Sequence, residues 1–149
     1  MHKRKIDVSL WEIQELIELL SKKIIESHKI DSIVAISRGG IIPARYLAKP
    51  LVVRRIYTVG IEFYEDAEKK KQPKIYQRLT EQLTDQTILI IDDIVDSGES
   101  MKLAVEEVKL LSPKEIFTCT LYYKQNSIYK PNFYGKSVCD EVWFKYPWE

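Results

Sequence analysis

Hydrophobic positions along the 149-residue chain follow two patterns, one at helical spacing and one in short unbroken runs. Ile13, Leu16, Ile17, Leu20 and Ile24 recur every three or four residues, which predicts an amphipathic helix from about Leu10 to about Ser27. Ser9 supplies its N-cap, and Glu12, three residues on, completes a capping box. Asp31–Ser37 (DSIVAIS) and Thr87–Asp93 (TILIIDD) are short, apolar and β-branched, as strands covered on both faces must be. Each ends in a glycine-containing turn, Arg38-Gly39-Gly40 and Asp96-Ser97-Gly98. Pro43–Lys49 reads as a short helix stopped by Pro50, and a second amphipathic helix is predicted from about Ser100 to Leu111. Val52–Tyr64 suits one or two strands, and Glu115–Tyr123 another. Residues from Lys124 to Glu149 read as irregular structure with one short strand around Val138 to Phe144. Glu65–Lys74 (EDAEKKKQPK) is charged and reads as a solvated mobile loop, which is compatible with a flap over an active site.

Alternation of strands and helices predicts an α/β fold with a mainly parallel sheet. No repeat or linker breaks the chain, so one domain over residues 1–149 is the expectation. In such sheets ligands bind beyond the carboxyl ends of the strands, where both glycine turns would sit.

Charge narrows the choice of partner. The net charge is +1, from 23 basic and 22 acidic side chains, which argues against a nucleic-acid-binding surface but leaves room for a local anion site. Cys119 and Cys139 lie in separate apolar stretches without metal-ligand spacing and read as buried reduced thiols. The chain contains neither a signal-peptide core nor a membrane-length apolar run, so a cytoplasmic protein without a membrane span is expected.

The segment from Thr87 to Ser100 carries the most specific chemistry. A strand delivers Asp92 and Asp93 at its end, and Asp96, Ser97, Gly98, Glu99 and Ser100 follow at a helix entrance. A helix N-terminus offers unpaired N–H groups and a positive dipole end, and Gly98 permits close approach of a phosphate. Helix capping alone explains Asp96 and Ser97. It leaves two further aspartates at the end of an apolar strand without a partner, a cost that a divalent cation and sugar hydroxyls would remove.

ILIIDDIVDSGES, residues 88–100, resembles the signature of the type I phosphoribosyltransferases. The resemblance implies their fold, with a small hood over residues 124–149 and a flexible active-site loop. It further implies that Asp92 and Asp93 hold the ribose hydroxyls of phosphoribosyl diphosphate, with Asp93 touching Mg²⁺. Residues 96–100 would cradle the 5-phosphate, and Asp96 would also accept the proton at purine N7. Glu99 stands where relatives often carry glycine or lysine, which makes this loop more acidic than usual.

The turn after the first strand, Ser37-Arg38-Gly39-Gly40, is on its own no more than a flexible turn with a solvated arginine. Beside the signature it resembles the family's diphosphate loop, implying that Ser37, Arg38 and Gly39 bind the leaving diphosphate; relatives often carry a cis peptide there. Lys74–Arg78 (KIYQR) resembles the stretch after the family's flexible loop, which implies Arg78 as a further diphosphate ligand; by itself it reads equally as a solvated strand-edge arginine. Lys124 and the ending Trp143-Phe144-x-x-Pro147-Trp148-Glu149 resemble the compact bacterial xanthine–guanine phosphoribosyltransferases. That likeness implies purine recognition by Lys124, Trp143 and Phe144. Lysine would donate to O6, the indole would stack on the base, and backbone near Phe144 would meet its edge. It also implies a homodimer or homotetramer, for which Tyr129, Phe133 and Tyr134 are expected as exposed aromatics. A nucleotide-sensing regulator on the same fold and an enzyme acting on another base are the alternatives. A phosphatase lacks the context of a nucleophilic aspartate.

Overall fold

The computed structural model describes residues 3–139 and 141–149. Its elements run β1 (Arg4–Asp7), α1 (Leu10–Ser27), β2 (Ser32–Ser37), α2 (Ile41–Ala48), β3 (Ile56–Glu65), β4 (Lys71–Gln77), β5 (Thr87–Val95), α3 (Glu99–Lys109), β6 (Glu115–Lys124), β7 (Phe133–Val138) and β8 (Val142–Lys145). The central sheet has the order β4-β3-β2-β5-β6-β7, parallel throughout except for β4, which runs antiparallel to β3.

Alternation along the central strands assigns the two layers. Ile33 and Ala35 of β2 and Leu89 and Ile91 of β5 pack with α1 and α2 through Ile13, Leu16, Leu20, Ala44 and Leu47. Val34, Ile36, Ile88 and Ile90 face the other way, onto Met101, Ala104 and Val108 of α3. Both faces are thus covered, which is why these strands read as unbroken apolar runs.

The first helix matches its predicted span, and Ser9 Oγ accepts the Glu12 N–H at 3.1 Å. The Glu12 carboxylate, however, is drawn to Lys136 of β7 at 3.0 Å, a tertiary partner that local spacing could not reveal. Helix α2 begins at Ile41, placing Pro43 within the first turn, where its missing N–H costs nothing.

Four expectations need correction. The stretch 65–74 is the tip and return strand of a hairpin, with Glu65 opposite Lys71 and Phe63 opposite Pro73. Asp66 Oδ1 closes the tip by accepting the N–H groups of Glu68 and Lys70, both at 2.9 Å, and Pro73 is tolerated because β4 is an edge strand. Secondly, the C-terminal stretch is more regular than expected: β7 extends the central sheet, and β8 pairs in parallel with β1, a charged segment (RKID) with no strand pattern of its own. Asp140, inside the strand expected at 138–144, lies outside the described residues. Thirdly, Cys139 is exposed; only Cys119 is buried. Finally, Phe133 and Tyr134 are half-buried against Phe117 and Tyr123, and Tyr129 packs on the α3-side core, so none of the three is a free surface aromatic.

No helix among the described residues is long and apolar enough to cross a membrane.

Candidate active site

Strand order sets the position of the site. The chain leaves β2 toward β3 on one side and returns through β5 on the other, so the crossover direction reverses between these two neighbours. The loops leaving their carboxyl ends are splayed apart there, which opens a crevice. Residues 38–40 and 96–98, the two glycine turns, follow β2 and β5 at that end of the sheet.

Those turns are held together by what glycine lacks. A Cβ on Gly39 would lie 2.7 Å from the Asp93 carboxyl, and one on Gly40 would strike the Ile91 and Ile36 carbonyls. The Ser37–Arg38 peptide is cis, Arg38 is exposed at the turn, and Ser37 Oγ lies 2.8 Å from the Tyr76 hydroxyl of β4. Gly98 adopts φ 93°, a left-handed conformation open to glycine, and a Cβ there would meet Tyr129 N at 2.7 Å. Gly98 is the N-cap of α3 and offers no side-chain cap, whereas Ser97 Oγ accepts only the Glu99 N–H, at 3.3 Å. The first turn of α3 therefore presents backbone N–H groups toward the crevice.

Asp92 and Asp93 stand at the end of β5. Asp92 Oδ1 accepts the Asp93 N–H at 2.8 Å, and Asp93 Oδ1 accepts the Ile94 N–H at 2.7 Å. Burial holds the Asp92 carboxyl well above the usual carboxylate range, and the neighbouring Asp93 charge adds to this. Asp93 is also raised, by burial first and with a further push from Glu149, against the lowering effect of its hydrogen bonds.

This elevation fixes a sign. The stability that a protonated Asp92 contributes is fully present below the unfolded value of about 3.9 and is lost as pH rises through the elevated folded value. Asp92→Asn is therefore expected to raise the melting temperature of the ligand-free protein at pH 7, by about 3 °C per kcal/mol relieved. The gain should shrink toward pH 4. Thermal unfolding at both pH values checks this, and an equal or lower midpoint at pH 7 would refute it.

A cavity of about 480 Å³ is lined by residues 92–101 together with Phe63 and Lys71 of the hairpin and Trp143 of β8. A second, of about 220 Å³, adjoins it through Asp93, Ile94, Asp96 and Trp143 and is completed by Lys124, Val142, Phe144, Tyr146 and Glu149. Lys124, the last residue of β6, is 1% exposed, and its ammonium lies 3.0 Å from Asp96 Oδ1. Such a buried cation persists only with a paired charge. Alternation in β8 turns Trp143 outward onto the cavities, while Phe144 faces the core and stacks on Tyr122 with ring centroids 3.9 Å apart.

The fold thus gathers Asp92, Asp93, Asp96, Ser97, Gly98, Glu99, Ser100, Lys124, Trp143 and Phe144 around two adjoining cavities, with Gly39 against Asp93, whereas Ser37, held to Tyr76, and the exposed Arg38 line neither cavity. Arg78 stands apart from both: its guanidinium pairs with Glu107 of α3 at 2.7 Å. Phe63, Lys71 and Tyr146 line the cavities without having been singled out from the sequence; Glu149 was noted only as part of the ending. For Lys71 the signal was the lysine run itself, hidden by reading the stretch as solvated.

Among the described residues no group of three or more histidine, cysteine or acidic side chains encloses a metal. The elevated pair Asp92 and Asp93 nevertheless fits a hard cation that keeps its waters and takes its remaining ligands from a phosphorylated substrate.

Residues 9–149 match the phosphoribosyl transferase domain. Xanthine-guanine phosphoribosyltransferase from Gluconobacter oxydans is 32% identical over 133 residues, covering 88% of this chain and 76% of that protein. The enzyme of the same name from Idiomarina loihiensis is 25% identical over 98% of this chain and 88% of its own length. Among solved structures, a purine phosphoribosyltransferase from Pyrococcus horikoshii superposes with a TM-score of 0.88 at 31% identity, covering 97% of this chain and 94% of that one. A hypothetical protein from Neisseria gonorrhoeae with bound ppGpp does so with a TM-score of 0.86 at 28% identity, over 100% and 91% of the two chains. With the signature segment lining the larger cavity and the match spanning nearly the whole sequence, this chain belongs to the phosphoribosyltransferase family.

Proposed function

We propose that this chain is a purine-salvage enzyme, joining a 6-oxopurine (guanine, xanthine or hypoxanthine) to phosphoribosyl diphosphate to give the nucleoside 5-monophosphate and diphosphate. The observation that carries this reading is the pairing of the buried Lys124 ammonium with the half-exposed Asp96 carboxylate at the junction of the two cavities. A flat base fits the smaller cavity beside Trp143, whose indole face suits a π-system. There the O6 and N7 edge of a 6-oxopurine meets a donor in Lys124 and an acceptor in Asp96. Adenine would set its amino group against the ammonium, a mismatch that a polar site rejects strongly.

The larger cavity suits the phosphorylated sugar. Backbone N–H groups of residues 97–100 receive the 5-phosphate, and Asp92 and Asp93 accept hydrogen bonds from the ribose hydroxyls. The bond from ribose C1 to the diphosphate oxygen breaks as the bond from C1 to purine N9 forms, and the base loses its proton. Asp96 takes that proton at N7, and Arg38 steadies the leaving diphosphate. Asp93 would hold Mg²⁺, which supplies neutralising charge to the diphosphate oxygens. Chemistry of this kind rests on positioning and charge, with no covalent enzyme intermediate needed.

Under this reading the chain acts as one domain, residues 1–149, in the cytoplasm, as a homodimer or homotetramer. The Neisseria protein with bound ppGpp favours one second reading, a non-catalytic nucleotide-sensing regulator. Incubation with phosphoribosyl diphosphate, Mg²⁺ and each 6-oxopurine separates the two. Nucleotide formation from at least one base is expected, and its absence with all three would sink the enzyme reading.

A further inference from the structure

A further cavity, of about 420 Å³, shares no lining residue with the two already described. Its size falls within the range of small-molecule sites. Val105 and Lys109 of α3 line it, with Lys114 and Ile116 at the start of β6 and Tyr129 and Asn132 from the connection to β7. Its charge is the reverse of the larger active-site cavity. There Asp92, Asp93, Asp96 and Glu99 meet one lysine, whereas here Lys109 and Lys114 meet Glu115 alone. Neither lysine forms an ion pair among the described residues. An anion can therefore settle in this cavity without a divalent cation to offset carboxylates.

Two groups of the cavity are held in place beforehand. Asn132 Oδ1 accepts the N–H and the hydroxyl of the buried Thr118, at 2.9 and 3.1 Å, which leaves its amide Nδ2 to donate elsewhere. Tyr129 is half-buried, with its hydroxyl 3.4 Å from Thr118 Oγ1, and forms an apolar flank with Val105 and Ile116. The same connection touches the glycine turn of the active site. The Ile128 N–H donates to the Ser97 carbonyl at 2.8 Å, and a Cβ on Gly98 would lie 2.7 Å from the Tyr129 nitrogen. Tyr129 thus rests on the turn that begins α3 and also lines a cavity shared with Lys109, about 15 Å further along that helix.

We propose that this cavity is an effector site for a nucleoside monophosphate, bound without metal through its phosphate at Lys109 and Lys114 and its base at Tyr129 and Ile116. A phosphate dianion matches two ammoniums and an amide donor, and a flat base matches the apolar flank where a bare phosphosugar would not. Occupancy holds Tyr129, and with it the 96–98 turn, in the conformation that receives a 5-phosphate; this consequence rests on the function proposed above.

Calorimetry with AMP in EDTA tests the site, because the Lys124–Asp96 pair disfavours an adenine base in the active-site cavities. Wild type is compared with the double variant Lys109→Met/Lys114→Met and with Lys102→Met, an exposed lysine of α3 that lines none of the three cavities. AMP is expected to bind wild type and Lys102→Met alike and the double variant about tenfold more weakly. Saturating AMP should tighten ribose 5-phosphate about fivefold, and ribose 5-phosphate should tighten AMP by the same factor. No AMP binding, undiminished binding in the double variant or an equal loss in Lys102→Met would overturn the proposal. So would inorganic phosphate binding as tightly as AMP, the mark of an adventitious ion only. AMP bound as expected with ribose 5-phosphate unaffected would overturn the effector role. Wild type that forms no nucleotide from any 6-oxopurine would sink the enzyme reading and leave this site standing.

Discussion

Asp96→Asn is expected to slow turnover by about 10²- to 10⁴-fold, the range over which a positioned proton acceptor contributes. The substitution preserves size and one oxygen, so the cavity keeps its shape. What it removes is the charge proposed to receive the N7 proton. Binding of phosphoribosyl diphosphate should be nearly intact, because the proposed mechanism assigns the ribose hydroxyls to Asp92 and Asp93 and the 5-phosphate to backbone N–H groups. The loss should therefore fall on kcat, and on kcat/KM for the base. A structural side effect is built in. Lys124 is 1% exposed and loses its counter-charge at 3.0 Å, so the variant should also melt somewhat lower than wild type. Steady-state kinetics with both substrates varied checks the claim, and unchanged turnover would remove Asp96 from proton transfer while leaving it in the phosphate loop.

Lys124→Ala is expected to lower kcat/KM for guanine and hypoxanthine by about 10²- to 10³-fold, since a polar recognition site that loses its donor discriminates poorly and binds weakly. The lysine stem is enclosed, so truncation also opens a hole near the end of β6, with the loss of packing that this entails. Lys124→Met, which fills the space without the charge, separates the two effects. If the donor matters, Met and Ala should be similarly inactive. If only packing matters, Met should be near wild type. The Asp96 side chain is 52% exposed and can be rehydrated, so the fold should survive loss of its partner. Adenine, rejected by the ammonium, should gain relative to guanine in the Met variant. Unchanged activity on guanine and hypoxanthine would remove Lys124 from base recognition.

How much of this was legible in the chain itself depended on whether a feature is local. The α1 span, both buried strands and the segment 88–100 could be read directly, because each is dictated by neighbours a few residues away: apolar period, cap, glycine and helix entrance. Arg78 could not, because its partner Glu107 sits on a helix far along the chain. Neither could β1, whose residues are charged apart from Ile6 and become a strand only because β8 is there to pair with them. The hairpin was hidden for a related reason. Lysines read as solvent-facing whether they lie in a loop or along an edge strand, and only pairing with β3 decides between the two.

The signature segment by itself pointed to the family, which the match over residues 9–149 shows, and to the residues proposed for the sugar phosphate, since a phosphate cradle is built from consecutive backbone groups at one helix start. Tertiary structure alone decided the rest: that Lys124 is buried against Asp96, that Trp143 turns outward while Phe144 faces the core, and that Lys71 lines the same cavity as residues 92–101. Those outcomes depend on charges and faces meeting across strands distant in sequence, where the free energy of pairing and burial is set by the partner and not by the chain around each residue.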